Sequence, residues 1–117
     1  MGLRVIVTGG GRAYQDRKKL FSVLDFIHRN GGIDELNHGG AKGADTLAEE
    51  WANSRRVNTC IHHADWKGLG PCAGPKRNQD MVDYGADLAV AFPGGKGTKD
   101  CVWRIRRANI DLFEVPR

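Results

Sequence analysis

The chain has 117 residues, sixteen of them Gly, about twice the ~7% of average usage. With 40% hydrophobic residues, only four Pro and no Gly-X-Y repeat, collagen and low-complexity disorder are both excluded. Eighteen Lys+Arg against 14 Asp+Glu give +4, spread evenly along the chain, so anionic partners are favoured but the clustered basic patch of a nucleic-acid binder is missing.

Leu3-Arg4-Val5-Ile6-Val7-Thr8 reads as a buried strand, cut off by Gly9-Gly10-Gly11. A helix is predicted from about Asp16 to Asn30, because Leu20, Val23, Leu24 and Ile27 recur at i, i+3, i+4, i+7. Asp16 suits the N-cap and Gly31-Gly32 the end. A weak strand follows at Glu35 to His38, then Gly39-Gly40. Ala44 to Arg55 is the clearest helix, with Ala44, Leu47, Ala48, Trp51 and Ala52 on one stripe opposite Glu49, Glu50 and Asn53. A third strand covers about Asn58 to His62. Asp65 to Pro75, rich in Gly and Pro, reads as a loop. Pro75 suits the first turn of a helix running to about Tyr84. Asp87 to Phe92 is a fourth, continuously apolar strand. Pro93 to Gly97 is a loop, Thr98 to Asn109 a helix, and Asp111 to Val115 a last strand.

Strands alternating with helices imply α/β: a parallel sheet of about five strands, covered on both faces, in one doubly wound, Rossmann-like domain spanning residues 1–117. Right-handed crossovers make the order reverse next to the first strand. Ligands of such sheets bind outside the carboxyl ends of the strands, at that reversal. The glycines gather there. Gly9, Gly10 and Gly11 follow the first strand, Gly39, Gly40 and Gly43 the second, and Gly94, Gly95 and Gly97 the fourth. Glycine lets backbone approach a ligand, and the helix N-termini behind the loops offer unpaired N–H groups to a phosphate or carboxylate. Neither loop pattern is a dinucleotide fingerprint or a P-loop, so hydride transfer on NAD and P-loop ATP hydrolysis are not supported.

Side chains on these loops add chemistry. Thr8 and Arg12 flank the first, Lys42 and Asp45 the second, Arg77 and Asn78 open the third helix, and Thr98 and Asp100 the fourth. Arg77 is suited to a bidentate contact with a phosphate or carboxylate. Trp66, beside Asp65, has two roles open to it: stacking on a base, or anchoring its loop. Asp45 is open to hydrogen-bonding a ribose or to capping its helix. Cys60, Cys72 and Cys101 cannot all pair within the chain and form no C-x-x-C, so neither a disulfide framework nor a zinc ribbon is expected. His38, His62 and His63 lack Cys or carboxylate partners at metal spacing, so no metal and no cofactor are expected. No apolar run approaches the ~18 residues of a membrane span. The start of the chain lacks a charged n-region and long apolar stretch, so a reducing, cytoplasmic setting is expected.

Pro93-Gly94-Gly95-Lys96-Gly97-Thr98 resembles the PGGxGT loop of the SLOG superfamily, which includes the LOG (lonely guy) phosphoribohydrolases. Val7-Thr8-Gly9-Gly10, His38 to Asp45, Ala64-Asp65-Trp66, Ala73 to Asn78 and Ala91 to Gly95 together look like its YspA, cpYpsA-related branch, common in phage and bacterial genomes. The resemblance implies a Rossmann-like fold, a nucleotide or ADP-ribose-like ligand, and self-association into dimers or larger assemblies. In LOG enzymes an Arg in R-K-x-x-M and the final Glu of PGGxGTxxE act on the N-glycosidic bond of a nucleoside monophosphate. Arg77 and Met81 match the first pattern, but Cys101 stands at the position of the Glu, and the nearest acid is Asp100. One residue on a helix is a rotation of ~100°, so Asp100 is no simple substitute; its other role is to interact with the helix dipole.

The leading expectation is therefore a nucleotide-binding module, acting as sensor or sequestering protein. The ligand phosphate would lie against Gly94 to Thr98, Arg77 and the Gly39–Gly43 loop. The alternative is an N-glycosidic hydrolase using Arg77 with Asp100, Asp45 or Asp65. Single-stranded DNA binding, known in DprA-like members of the superfamily, is disfavoured by the absence of a basic stripe. Trp103 is open to an interface or a core role.

Overall fold

The computed structural model describes residues 2–9, 11 and 14–116. Gly10 and Arg12, both expected at the site, lie outside the described residues. The elements alternate as β1 (Leu3–Gly9), α1 (Arg17–Gly31), β2 (Ile33–His38), α2 (Ala44–Arg55), β3 (Asn58–Ile61), α3 (Trp66–Leu69), a 3-10 turn (Gly70–Cys72), α4 (Ala73–Tyr84), β4 (Leu88–Phe92), α5 (Lys96–Arg107) and β5 (Asp111–Glu114). All five strands are parallel, in the order β3-β2-β1-β4-β5. The winding direction reverses between β1 and β4, as the alternation of elements predicts.

Alternating side chains along each strand feed two cores. Val5 and Val7 of β1 join Val90 and Phe92 of β4 under Leu20 and Leu24 of α1 and Ala48, Trp51 and Ala52 of α2. Ile6 and Ala89, facing the other way, pack under Met81 and Val82 of α4 and Cys101 and Ile105 of α5. That is the three-layer arrangement that right-handed crossovers impose on this strand order. Trp51 anchors the first core. It is fully buried, its ring meets His28 edge-on at 5.5 Å, and its indole N–H donates to Asp25 Oδ1 at 2.9 Å. The Asp25 carboxylate also accepts both a 2.8 Å bond from Arg55 Nε and one from its Nη2, tying α1 to α2.

Helix ends follow their local chemistry. Asp16 caps α1 by accepting from the Lys19 N–H at 3.1 Å, and Gly32 turns the chain away with φ 72°. One expectation needs correcting. The stretch from Asp65 to Pro75 is largely helical rather than a loop. Asp65 caps α3 through the Gly68 N–H at 3.0 Å. Gly70 reverses the backbone at φ 58°, and Pro71 begins the next turn, where its missing N–H costs nothing. Consequently α4 starts at Ala73, two residues before Pro75, and α5 starts at Lys96, two before Thr98.

At the reversal point, Gly9 pairs with Phe92 in the ladder. Its φ is +103°, and a Cβ there would lie 2.1 Å from the Phe92 carbonyl oxygen. Only glycine lets the two central strands leave the sheet side by side.

Candidate functional site

The loops after β1, β2 and β4 meet over this point and enclose a cleft of about 840 Å³. Thr8, Gly9 and Gly11 line it from the first loop, and Gly40, Ala41, Lys42 and Asp45 from the second. Gly95, Lys96, Gly97, Thr98 and Asp100 line it from the last. Gly74, Pro75, Arg77 and Asn78 of α4, with Trp66 of α3, close the remaining side. The volume lies within the range of small-molecule sites. Three basic side chains (Lys42, Arg77, Lys96) face two acids (Asp45, Asp100) across it.

Caps distinguish the helices around the cleft. Asp16 and Asp65 satisfy backbone N–H groups at the starts of α1 and α3. The residues preceding α2, α4 and α5 are Gly43, Cys72 and Gly95, and none makes a side-chain cap bond. The starts of α2 and α5 therefore keep first-turn N–H donors and the positive end of a helix dipole, whereas the first turn of α4 spends its Ala73 N–H on the Gly70 carbonyl. The backbone at the start of α5 is open: a Cβ on Gly95 or Gly97 would meet nothing within 4 Å among the described residues. No packing demand from the described residues explains glycine at these two positions. What glycine provides is exposed backbone.

Arg77 ties α4 to the loop after β2. Its Nη1 donates to the Gly39 carbonyl at 2.7 Å, and its Nε to Asn78 Oδ1 at 3.0 Å. A Cβ on Gly39 would lie 2.2 Å from that guanidinium, so Gly39 shapes the site without lining the cleft itself. Asn78 in turn donates to Asp100 Oδ2 at 3.0 Å and to the Gly97 carbonyl at 3.3 Å. Asp100 Oδ2 also accepts from Arg104 Nε at 2.9 Å. The Arg104 bond, followed by the Asn78 bond, holds the Asp100 carboxyl below its ordinary 3.8. Asp100 is therefore ionised at neutral pH.

Asp45 is the opposite case. Only 6% of it is exposed. Oδ2 accepts the Gly39 and Ala41 N–H groups at 3.1 and 3.2 Å. Of the two roles open in the sequence, capping is not the one seen: Asp45 does not cap α2 but clamps the preceding loop. Oδ1 is buried and has no hydrogen-bond partner among the described residues. Burial pushes its carboxyl above the ordinary 3.8, outweighing the two backbone bonds and the Arg77 charge. His38, almost fully buried, supports the same loop. Its Nδ1 accepts from the Gly40 N–H at 3.0 Å and its Nε2 lies 2.7 Å from Glu49 Oε1.

Helix α5 turns Asp100 toward the cleft and Cys101 into the second core, where it is fully buried. Burial raises the Cys101 thiol above its ordinary 9.0, with Thr8 offsetting part of the rise, so it stays a protonated, unreactive thiol at neutral pH. Trp66 is 59% exposed. Its ring rests over Gly74, where a Cβ would come within 3.1 Å, leaving a broad aromatic face at the rim. Asp65 serves as the α3 cap. Gly43 precedes α2 with φ 92°. Pro93 and Gly94 line a separate cavity of about 480 Å³ toward β5, together with Lys99, Trp103 and Arg106; Thr98 borders both. Trp103 is 55% exposed, so it belongs to the surface rather than the core. Among the described residues no group of His, Cys, Asp or Glu could hold a metal ion.

Sequence reasoning missed Gly74 and Pro75 as lining residues. Their neighbours in sequence were expected at the site, so the signal available was proximity in sequence, not residue type.

The comparisons with known proteins agree with this architecture. A profile of the YspA, cpYpsA-related SLOG family matches residues 3–68. The chain is also 40% identical over 118 residues to the Gene 61 protein of Mycobacterium phage D29, covering 94% of each chain. The chain belongs to the YspA, cpYpsA-related SLOG family. No solved structure matches it. Among the described residues no helix is long and apolar enough to cross a membrane.

Proposed function

We propose that the cleft binds a nucleotide or a nucleotide-derived ligand, such as a nucleoside monophosphate or an ADP-ribose-like molecule, and that the protein acts as a sensor or sequestering module. The observation that carries this reading is the uncapped start of α5, with open backbone at Gly95 and Gly97, facing the same cleft as Arg77. Backbone donors and a guanidinium together suit a phosphate. The exposed Trp66 face offers a stacking platform for a base. Calorimetric titration with nucleoside monophosphates, ADP-ribose and NAD tests the reading. Binding that weakens at least tenfold in Arg77→Ala supports it; no heat at millimolar ligand refutes it.

A second reading, N-glycosidic hydrolysis, draws on one specific observation. The two cleft carboxyls are shifted in opposite directions, Asp45 up and Asp100 down. Such a pair suits acid catalysis. Asp45 would protonate the departing base as the C–N bond breaks, Asp100 would stabilise the positive charge on the ribose, and water would supply the new hydroxyl. Base release followed by chromatography, with Asp45→Asn and Asp100→Asn compared, separates the readings. Turnover that either substitution abolishes would replace the pure binding role.

Self-association in a cytoplasmic, phage–host setting completes the proposal. An apolar groove of about 410 Å³ between α1 and the β4–β5 edge, with Phe26 and Phe113 exposed beside it, supports the first part. Analytical ultracentrifugation of the wild type and Phe113→Lys would check it: a dimer reduced to monomer by the substitution supports the groove as the contact.

A further inference from the structure

The nucleotide reading leaves one group unexplained. Asp45 Oδ1 is buried and without a partner among the described residues, in a structure where buried polar atoms ordinarily have one. Its carboxylate is not free to turn away. Oδ2 is held by two backbone N–H groups, from Gly39 and Ala41, and the loop carrying them is held by His38 through the Gly40 N–H and by Arg77 through the Gly39 carbonyl. A carboxylate pinned on one oxygen presents the other in a fixed direction. Asp45 also lines the cleft that the start of α5 lines.

We propose that Asp45 is the specificity-determining residue that reads a ribose hydroxyl, making the cleft selective for ribonucleotides over deoxyribonucleotides. This rests on the nucleotide reading above. A hydroxyl is the ligand group that fits best, because it donates to an ionised carboxylate and accepts from a protonated one. Phosphate is excluded from this spot, since it would bring negative charge against a carboxylate. The division of labour is physical: α5 and Arg77 receive the anion, and Asp45 receives the neutral sugar. The clamp also explains why the chain places an acid in the first turn of α2 and then buries it, which is costly unless a ligand completes the hydrogen bonding.

The experiment compares the 5′-monophosphates of adenosine, guanosine, cytidine and uridine with their 2′-deoxy and 3′-deoxy counterparts, by calorimetry, on the wild type and Asp45→Asn. Asparagine keeps the shape and can still accept the Gly39 and Ala41 N–H groups. It replaces the free carboxylate oxygen with a neutral amide, so the charge-assisted bond is lost. The wild type is expected to bind at least one ribonucleotide about 10- to 100-fold more tightly than a deoxy analogue. Asp45→Asn is expected to cut that preference below about threefold, with an unfolding temperature no lower than the wild type's. Equal binding of ribo and deoxy ligands by the wild type overturns the assignment and leaves the nucleotide reading standing. So does a preference that survives undiminished in Asp45→Asn. No binding of any nucleotide overturns both.

Discussion

Replacing Asp45 with asparagine should make the protein more stable and, by the reasoning above, a poorer ligand selector. Oδ1 is buried with no partner among the described residues, and a buried group left unsatisfied costs about 1–3 kcal/mol, more when charged. Asparagine removes the charge. Against this, the bonds from Gly39 and Ala41 become neutral, and charge assistance is worth about 1 kcal/mol in each. The direction of the Asp45 shift decides which side wins: burial outweighs the favourable bonds and charges, so ionising Asp45 costs more in the folded chain than in the unfolded one. The two sides nearly balance, so the net gain is at most about 1 kcal/mol, or about 4 °C in unfolding temperature for a domain of this size. The pH dependence carries the sign. With its folded-state value raised, Asp45 lowers stability as pH climbs from the ordinary 3.8 to that raised value. The advantage of Asp45→Asn should therefore open above pH 3.8, reach a plateau, and shrink on acidification. Calorimetric melts at several pH values measure it. A lower unfolding temperature at pH 7, or a gap that does not change with pH, would refute the reasoning.

Asp100 should behave in the reverse sense. Its lowered value means that its stabilising bond to Arg104 is present above pH 3.8 and is lost as pH falls through the folded-state value; acid titration by circular dichroism should show a steeper loss for the wild type than for Asp100→Asn. Gly9→Ala should cost about 1–3 kcal/mol from backbone strain alone, and more from a Cβ 2.1 Å from the Phe92 carbonyl; urea unfolding reads it. Gly39→Ala meets the movable end of Arg77 instead of backbone, so its stability loss should be smaller while nucleotide affinity falls with the displaced guanidinium. Trp51→Ala should cost about 3–5 kcal/mol, since the ring is fully buried and its N–H partner is left behind.

The fold was legible because its signals are local. The i, i+4, i+7 face of Leu20, Leu24 and Ile27, the stripe ending in Trp51 and Ala52, and the uninterrupted run from Leu88 to Phe92 each report burial directly, and the reversal beside β1 follows from chirality. The stretch from Asp65 to Pro75 was not legible. Its Gly and Pro content argues for a loop, whereas the Asp65 cap and the packing of Trp66 on Gly74 stabilise short helical turns. The site was legible in outline through its glycines. Its chemistry was not, because it arises between loops distant in sequence. Arg77 reaches a carbonyl 38 residues away. Asp45 looks like a helix-start acid until the Gly39 and Ala41 N–H groups are seen to fold back on it. Pro93 and Gly94 belong to the resembling motif yet line the neighbouring cavity, because the chain has not yet turned from β4 into α5.

The central claim is that a nucleotide phosphate sits on the start of α5. A crystal structure of the protein with the tightest-binding nucleoside monophosphate or ADP-ribose tests it most directly. The account predicts phosphate density within hydrogen-bond distance of the backbone N–H groups from Lys96 to Thr98, with Arg77 turned from the Gly39 carbonyl toward it. Density in the cavity beside Trp103 instead, with the cleft between Asp45 and α5 empty, would contradict it.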